Sequence, residues 1–318
     1  MSIETIIPSS REEWLSRKLS TIGASESPAL LGIHPYMTAY ELFMLKTGAI
    51  EKDRAEAMIE ENLIRLSPMD RGNFLEEKAI ELARMLRPDW EIVSNSIPGG
   101  KMLVDPAARI SSTPDAFIIE PDGTRAILQV KSVEQMIFKK TWHEDGVVQP
   151  PLWIVVQALQ DMELAECQRA YVAPMVIGFN VDFHLIDIPL HAGIMTRIRK
   201  EVEDFWRRVA ENDPPPPDYA KDGEIIAGLF ASDNGTTIDL TGWNRGPELA
   251  AENETLDEEI KERTTRRMAI KAELLEKLGD AAVGTVDGRV FATAKTVRRK
   301  AYSVEASSYR DIRFNKGA

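Results

Sequence analysis

One short turn constrains this chain more than any other feature. Pro121-Asp122-Gly123 lies between two β-prone runs, residues 111–120 and 124–131. Proline presets φ for the first turn position, aspartate tolerates the second, and glycine supplies a left-handed third. The three residues read as a hairpin loop with a bulge at the glycine. With that loop Glu120 faces Thr124, and counting back sets Asp115 opposite Gln129. Side chains alternate along a strand, so Gln129 and Lys131 share one face and Asp115 joins them on it. A two-residue loop would pair Asp115 with Val130 and turn the carboxylate to the other side. The loop chemistry therefore predicts that an acid, an amide and an ammonium converge.

The rest of the composition sets bounds. The chain has 318 residues, 43% hydrophobic and 28% charged, enough for one large domain and an appendage. No run of roughly 18 apolar residues occurs, and no basic segment followed by an apolar core opens the chain. Neither a membrane span nor a secretion signal is expected. The single cysteine, Cys167, excludes an internal disulfide or a Cys-cluster zinc site and fits a reducing cytoplasm. A formal net charge of -12 weighs against coating nucleic acid by bulk attraction, although a local groove with bound cations escapes that objection. The basic tail (Arg289, Lys295, Arg298, Arg299, Lys300, Arg310, Arg313, Lys316) is expected to touch DNA or a partner.

In chain order, residues 11–19 read as a helix carrying Trp14 and Lys18 along one side. Gly23 allows a tight turn, Ser25 can cap, and Ser27-Pro28 starts a short helix. Helices are expected over 38–47, closed by Gly48, and over 53–66. Residues 68–73 are read as a break before a helix from Phe74, which places Glu76 near a helix start, where the dipole favours a carboxylate. Strands follow at 90–97 and 101–104. Residues 132–148 form a long loop, in which His143 is read as a surface residue. A helix to about Leu164 carries Gln157 on an otherwise apolar side, so this amide is either satisfied in the core or lines a site. Strands at 168–177 and 179–188 and a helix over 195–211 complete the first part. Pro214 to Pro217 mark a boundary. A short helix, a long helix ending at Gly279 and a hairpin around Asp287-Gly288 follow. The expected division is residues 1–213, a linker over 214–222 and an appendage over 223–318.

Hydrolysis of a phosphodiester needs charge stabilisation at the phosphate and an activated water. Carboxylates holding Mg²⁺ supply both, and a nearby lysine can orient or deprotonate the water. Asp115, Gln129, Lys131 and Glu76 offer this set, and Val130 can add its backbone carbonyl.

The order of several motifs makes the chain resemble a known family. Trp14 and Lys18, Ile22-Gly23-Ala24-Ser25-Glu26, Leu31-Gly32 with Pro35-Tyr36, Gly72-Asn73-Phe74-Leu75-Glu76, Thr113-Pro114-Asp115, Gln129-Val130-Lys131 and the run from Gln157 to Met162 occur in series. In this, residues 11–217 resemble the YqaJ-like viral recombinases, relatives of phage lambda exonuclease within the PD-(D/E)xK nuclease superfamily. The resemblance implies an α/β, restriction-endonuclease-like core, a central mixed β-sheet flanked by helices, with the C-terminal helix and hairpin appended. It implies metal carboxylates at Glu76 and Asp115, a metal-site residue at Gln129 and a carbonyl ligand at Val130. Lys131 would activate the water, and Gln157 would support the site. Lys18, with Arg17 beside it, and Ser25 would hold a terminal 5′ phosphate. The implied activity is Mg²⁺-dependent digestion of one strand at double-stranded DNA ends, with Mn²⁺ as a substitute and a single-strand annealing protein as partner. A ring-shaped homo-oligomer is compatible with it.

Two positions depart from the family pattern. Glu is usual where this chain has Gln129, and an amide brings no negative charge and cannot act as a base. Arg is usual where it has Lys18, which lacks the planar fork. The first departure leaves open a slower nuclease, a preference for Mn²⁺, or an end-binding protein that has lost activity. An endonuclease or single-strand nuclease on the same scaffold is a further alternative.

Overall fold

The computed structural model describes residues 2–51, 58–60, 63–189, 191–299 and 310–314. The chain forms two compact units, Met1–Leu229 and Phe230–Ala318. The first opens with β1 (Glu4–Ile6) and α1 (Arg11–Leu19), whose first turn is capped by the Ser10 hydroxyl accepting from the Glu13 amide. β2 (Ile22–Gly23) and the single-turn α2 (Ser27–Leu30) follow. Gly23 ends the strand and opens a tight turn, its carbonyl accepting from the Glu26 amide at 2.8 Å, and among the described residues Ser25 makes no side-chain cap. Glu26 takes the N-cap position, and its carboxylate reaches back to accept the Gly23 amide at 2.8 Å. α3 (Ala39–Thr47) is capped by Thr38 and closed by a left-handed Gly48 as its sequence predicts.

Two expected boundaries differ. Within the range read as a helix over 53–66, the described residues form β3 (Met58–Glu60) and β4 (Leu63–Arg65), paired antiparallel with Ile59 opposite Ile64. The backbone there pairs as a hairpin and does not wind into a helix. Residues 52–57 and 61–62 lie outside the described residues. Next, α4 (Pro68–Leu86) begins at Pro68 and not at Phe74. Ser67 accepts from the Asp70 amide and proline occupies the first helical position, so the presumed break is a helix start. Glu76 consequently lies beyond the first turn, where the dipole has faded.

After β5 (Glu91–Ser94), β6 (Met102–Asp105) and β7 (Ile110–Ser112) comes the hairpin of β8 (Ala116–Ile119) and β9 (Arg125–Glu134). Its loop has the expected chemistry: Gly123 at φ 87°, its amide donating to Glu120 O, and Glu120 N donating to Thr124 O at 2.9 Å. The register Ala116 to Leu128 through Ile119 to Arg125 sets Asp115 against Gln129. The connection expected to be an irregular loop is ordered. β9 runs to Glu134, then come α5 (Gln135–Thr141) and a small hairpin of β10 (His143–Glu144) and β11 (Val147–Val148), with His143 exposed. α6 (Leu152–Leu164) crosses over to β12 (Arg169–Ile177), which pairs parallel with β9. The next expected strand is split into β13 (Val181–Phe183) and β14 (Ile186–Ile188), both antiparallel to β12.

The resulting six-stranded sheet runs β13-β12-β9-β8-β5 with β14 also on β12, and a four-stranded sheet runs β1-β6-β7-β2. Both are mixed. Alternation along β9 sorts the core: Ile127 packs with α6 and α7 (Ala192–Glu211), while Ala126, Leu128 and Val130 pack with Ala79, Ile80 and Ala83 of α4. Gln129 and Lys131 therefore project toward α6. Beyond the proline run, α8 (Gly223–Leu229) still belongs to the first unit, and buried Asp222 accepts from the Thr38 hydroxyl at 2.6 Å. The second unit holds α9 (Arg245–Leu278) and the hairpin of β15 (Val283–Val286) and β16 (Arg289–Thr293). No helix among the described residues is long and apolar enough to cross a membrane.

Gly123→Ala tests the hairpin. A methyl there meets nothing within 4 Å, so only the positive φ opposes it. The expected loss is about 1–2 kcal/mol, read as a lower urea midpoint with unchanged slope.

Candidate active site

The site forms where the hairpin, α6, α4 and the segment after α1 meet. Asp115 Oδ2 accepts two bonds of 2.6 Å, from Gln129 Nε2 and from the Val130 amide. Gln129 Oε1 accepts from Gln157 Nε2 at 2.9 Å, and Gln157 Oε1 accepts from Lys131 Nζ at 3.0 Å. Asp115 and Lys131 are thus joined through two side-chain amides. In front of them lies a cleft of about 200 Å³, lined among others by Glu76, Asp115, Gln157, Lys18 and Ser25.

The Lys18 wall is held by a buried ion pair. Lys46 Nζ donates to Glu26 Oε2 at 2.7 Å and to the carbonyls of Lys18 and Thr21. Burial pushes the Glu26 carboxyl up, but Lys18 and Lys46 outweigh it and hold its pKa below the usual range. This ties the end of α1 to the loop that carries Ser25. The Lys18 ammonium lies 4.8 Å from the Trp14 ring centre, and Trp14 Nε1 donates to Thr113 Oγ1, two residues from Asp115.

Electrostatically the cleft is acidic and strained by burial. Desolvation raises Asp115 to about 6, against the pull of Lys131 and the two donated amides. Burial, then the charges of Asp115 and Glu77, raise Glu76 to about 7. Burial lowers the pKa of Lys131, opposed by Asp115, Asp161 and Glu76. Two carboxylates that resist ionising together fit a site for a cation, which would restore the balance. Glu76 and Asp115 could hold it with the Val130 carbonyl. No three His, Cys, Asp or Glu residues form a metal-holding group among the described residues.

Of the residues singled out in the sequence, Glu76, Asp115, Gln157, Lys18 and Ser25 line the cleft. Gln129, Val130 and Lys131 adjoin these residues and do not line the cleft themselves. Arg17 is not brought in; it pairs with Glu13 on the exposed side of α1 at 2.8 Å. Asp161 is the residue that sequence reasoning missed. It is fully buried against the cleft, its Oδ1 accepts from Ser112 Oγ at 2.6 Å, and its Oδ2 has no partner. Burial raises it to about 7. The signal was present: Asp161 follows Gln157 by four residues, one helical turn along the same side of an apolar helix.

No protein-family model matches the chain. Along most of its length it is related to the uncharacterized protein YqaJ of Bacillus subtilis (strain 168), with 24% identity over 288 residues, covering 87% of this chain and 81% of that one. Over most of its length the chain is thus similar to YqaJ. Among solved structures, the alkaline exonuclease LHK-Exo of Laribacter hongkongensis overlays 68% of this YqaJ-like chain and 98% of its own at 17% identity, with a TM-score of 0.47. A putative exonuclease of Eubacterium rectale overlays 74% and 98% at 12% identity, also with a TM-score of 0.47.

The carboxylates give a pH prediction. Asp115, Glu76 and Asp161 have folded pKa values raised above their ordinary ones. The folded state thus holds more protons than the unfolded state between about pH 4 and 7, and stability falls as pH rises through that window. Thermal melts of cation-free protein should show this decline. Asp161→Asn keeps the acceptor for Ser112 and should flatten it.

Proposed function

We propose that the chain is a divalent-cation-dependent deoxyribonuclease, an exonuclease that digests one strand of linear duplex DNA from its 5′ end. The observation that carries the reading is the arrangement around Asp115: two half-buried carboxylates line a cleft, with a lysine of lowered pKa joined to one of them through two side-chain amides. The ordered motif series and the relation to YqaJ agree with it.

Each residue has a task in this reading. A divalent cation, preferably Mg²⁺ with Mn²⁺ able to replace it, would neutralise phosphate charge and acidify a bound water. Glu76, Asp115 and the Val130 carbonyl would hold it. Lys131, kept less basic by burial, would orient the attacking water and take up its proton. Lys18 and Ser25, which line the same cleft, would hold the terminal phosphate. Local cations answer the repulsion between DNA and a chain of net charge -12. The single strand left behind would pass to an annealing protein in recombination.

A second reading is supported by Gln129. Without a carboxylate there, the scaffold would bind DNA ends and cut them weakly or not at all. Digestion of end-labelled linear duplex in Mg²⁺ and in Mn²⁺ separates the two readings. The proposal expects loss of one strand from the 5′ end, with closed circular DNA spared. Lys131→Ala should lower the rate by about 10²-fold or more with an unchanged melting temperature. End binding without digestion in either cation would favour the second reading, and cutting of circles would indicate an endonuclease.

A further inference from the structure

We infer that Gln129 stays outside the coordination shell of the bound cation and acts as a positioning residue. In this role its amide donates to Asp115 Oδ2 and leaves Oδ1 to face the cleft. The inference rests on the nuclease reading for the existence of the cation.

The argument is one of donor and acceptor sense. In its resting ammonium form Lys131 carries donors only, and Asp115 as a carboxylate carries acceptors only. Between them are two amides, each with one oxygen end and one NH₂ end. Lys131 Nζ donates to Gln157 Oε1 at 3.0 Å, which turns the Gln157 NH₂ toward Gln129. That NH₂ donates to Gln129 Oε1 at 2.9 Å, which turns the Gln129 NH₂ toward Asp115, 2.6 Å away. The two ends of the chain independently demand the same sense. Reversing either amide alone sets NH₂ against NH₂ or oxygen against oxygen. Reversing both sets an NH₂ against the ammonium and an oxygen against the carboxylate.

Two further observations agree. Gln129 is only 3% exposed, and the cleft wall in front of it is made by Asp115 and Gln157. Asp115 Oδ2 already accepts two bonds, from Gln129 and from the Val130 amide, whereas Oδ1 accepts none among the described residues. Divalent cations of this class take oxygen ligands, and an NH₂ offers none. A glutamate at this position would behave differently. One oxygen would accept from Gln157 Nε2 while the other remained available to the cation, so Gln129→Glu adds a ligand where the natural amide adds a donor.

Counting the waters on bound Mn²⁺ tests this without DNA or turnover. The full chain is titrated with Mn²⁺ alone, and coordinated waters are counted by water-proton relaxation for the natural protein, Gln129→Met and Gln129→Glu. The inference expects the same count in the natural protein and Gln129→Met. Gln129→Glu should lose one water and gain about ten-fold in Mn²⁺ affinity. A water gained in Gln129→Met, with none lost in Gln129→Glu, would show the amide oxygen on the cation and overturn the inference while leaving the nuclease reading intact. Should Gln129→Met fail to fold, Gln129→Glu decides alone, because its carboxylate keeps the bond from Gln157. Absence of Mn²⁺ binding in every form would overturn the nuclease reading, and this inference with it.

Discussion

The register of one hairpin governs the site. Because a strand alternates its side chains, the three-residue loop at Pro121-Asp122-Gly123 decides which residues of β8 and β9 share a face. With Ile119 opposite Arg125, the apolar residues Ala126, Leu128 and Val130 turn to α4, and Gln129 and Lys131 turn to α6. A slip of one residue would turn the polar pair into the apolar layer under α4 and set the apolar residues against Gln157 of α6. The core thus enforces the same register that the loop selects. Asp115, just beyond the ladder, is held by a side-chain amide and a backbone amide of the facing strand.

What the sequence made legible follows from how local each signal is. The hairpin, the caps of α1 and α3, and the α6 helix with Gln157 on an otherwise apolar side depend on neighbours a few residues apart. The start of α4 is ambiguous in sequence because Pro68 reads as a breaker, although proline serves equally well at the first helical position after a capping serine. The region of β3 and β4 misled because strand pairing, not helical spacing, decides its structure. Asp161 escaped notice because its setting comes from Ser112, 49 residues away on another strand. The place of Arg17 was likewise set by a competing local partner, Glu13. The family pattern supplied roles for residues whose spacing alone is commonplace, and it exposed Gln129 as the position out of pattern.

Charge is distributed so that an acidic protein can present a workable site. Lys46 and Glu26 neutralise each other in the interior and fix the wall that carries Lys18 and Ser25. Glu76, Asp115 and Asp161 are left in surroundings that oppose their ionisation. Such an arrangement costs stability in the cation-free protein, and sites that bind cations commonly carry that cost.

The central claim is that Glu76 and Asp115 hold a divalent cation beside Lys131. The most direct measurement is an anomalous difference map from a crystal soaked in Mn²⁺. The account predicts a peak within about 2.0–2.3 Å of Asp115 Oδ1 and of a Glu76 oxygen, on the cleft side of the hairpin. A map with no peak there, or with Mn²⁺ held by other residues and Asp115 uninvolved, would contradict it.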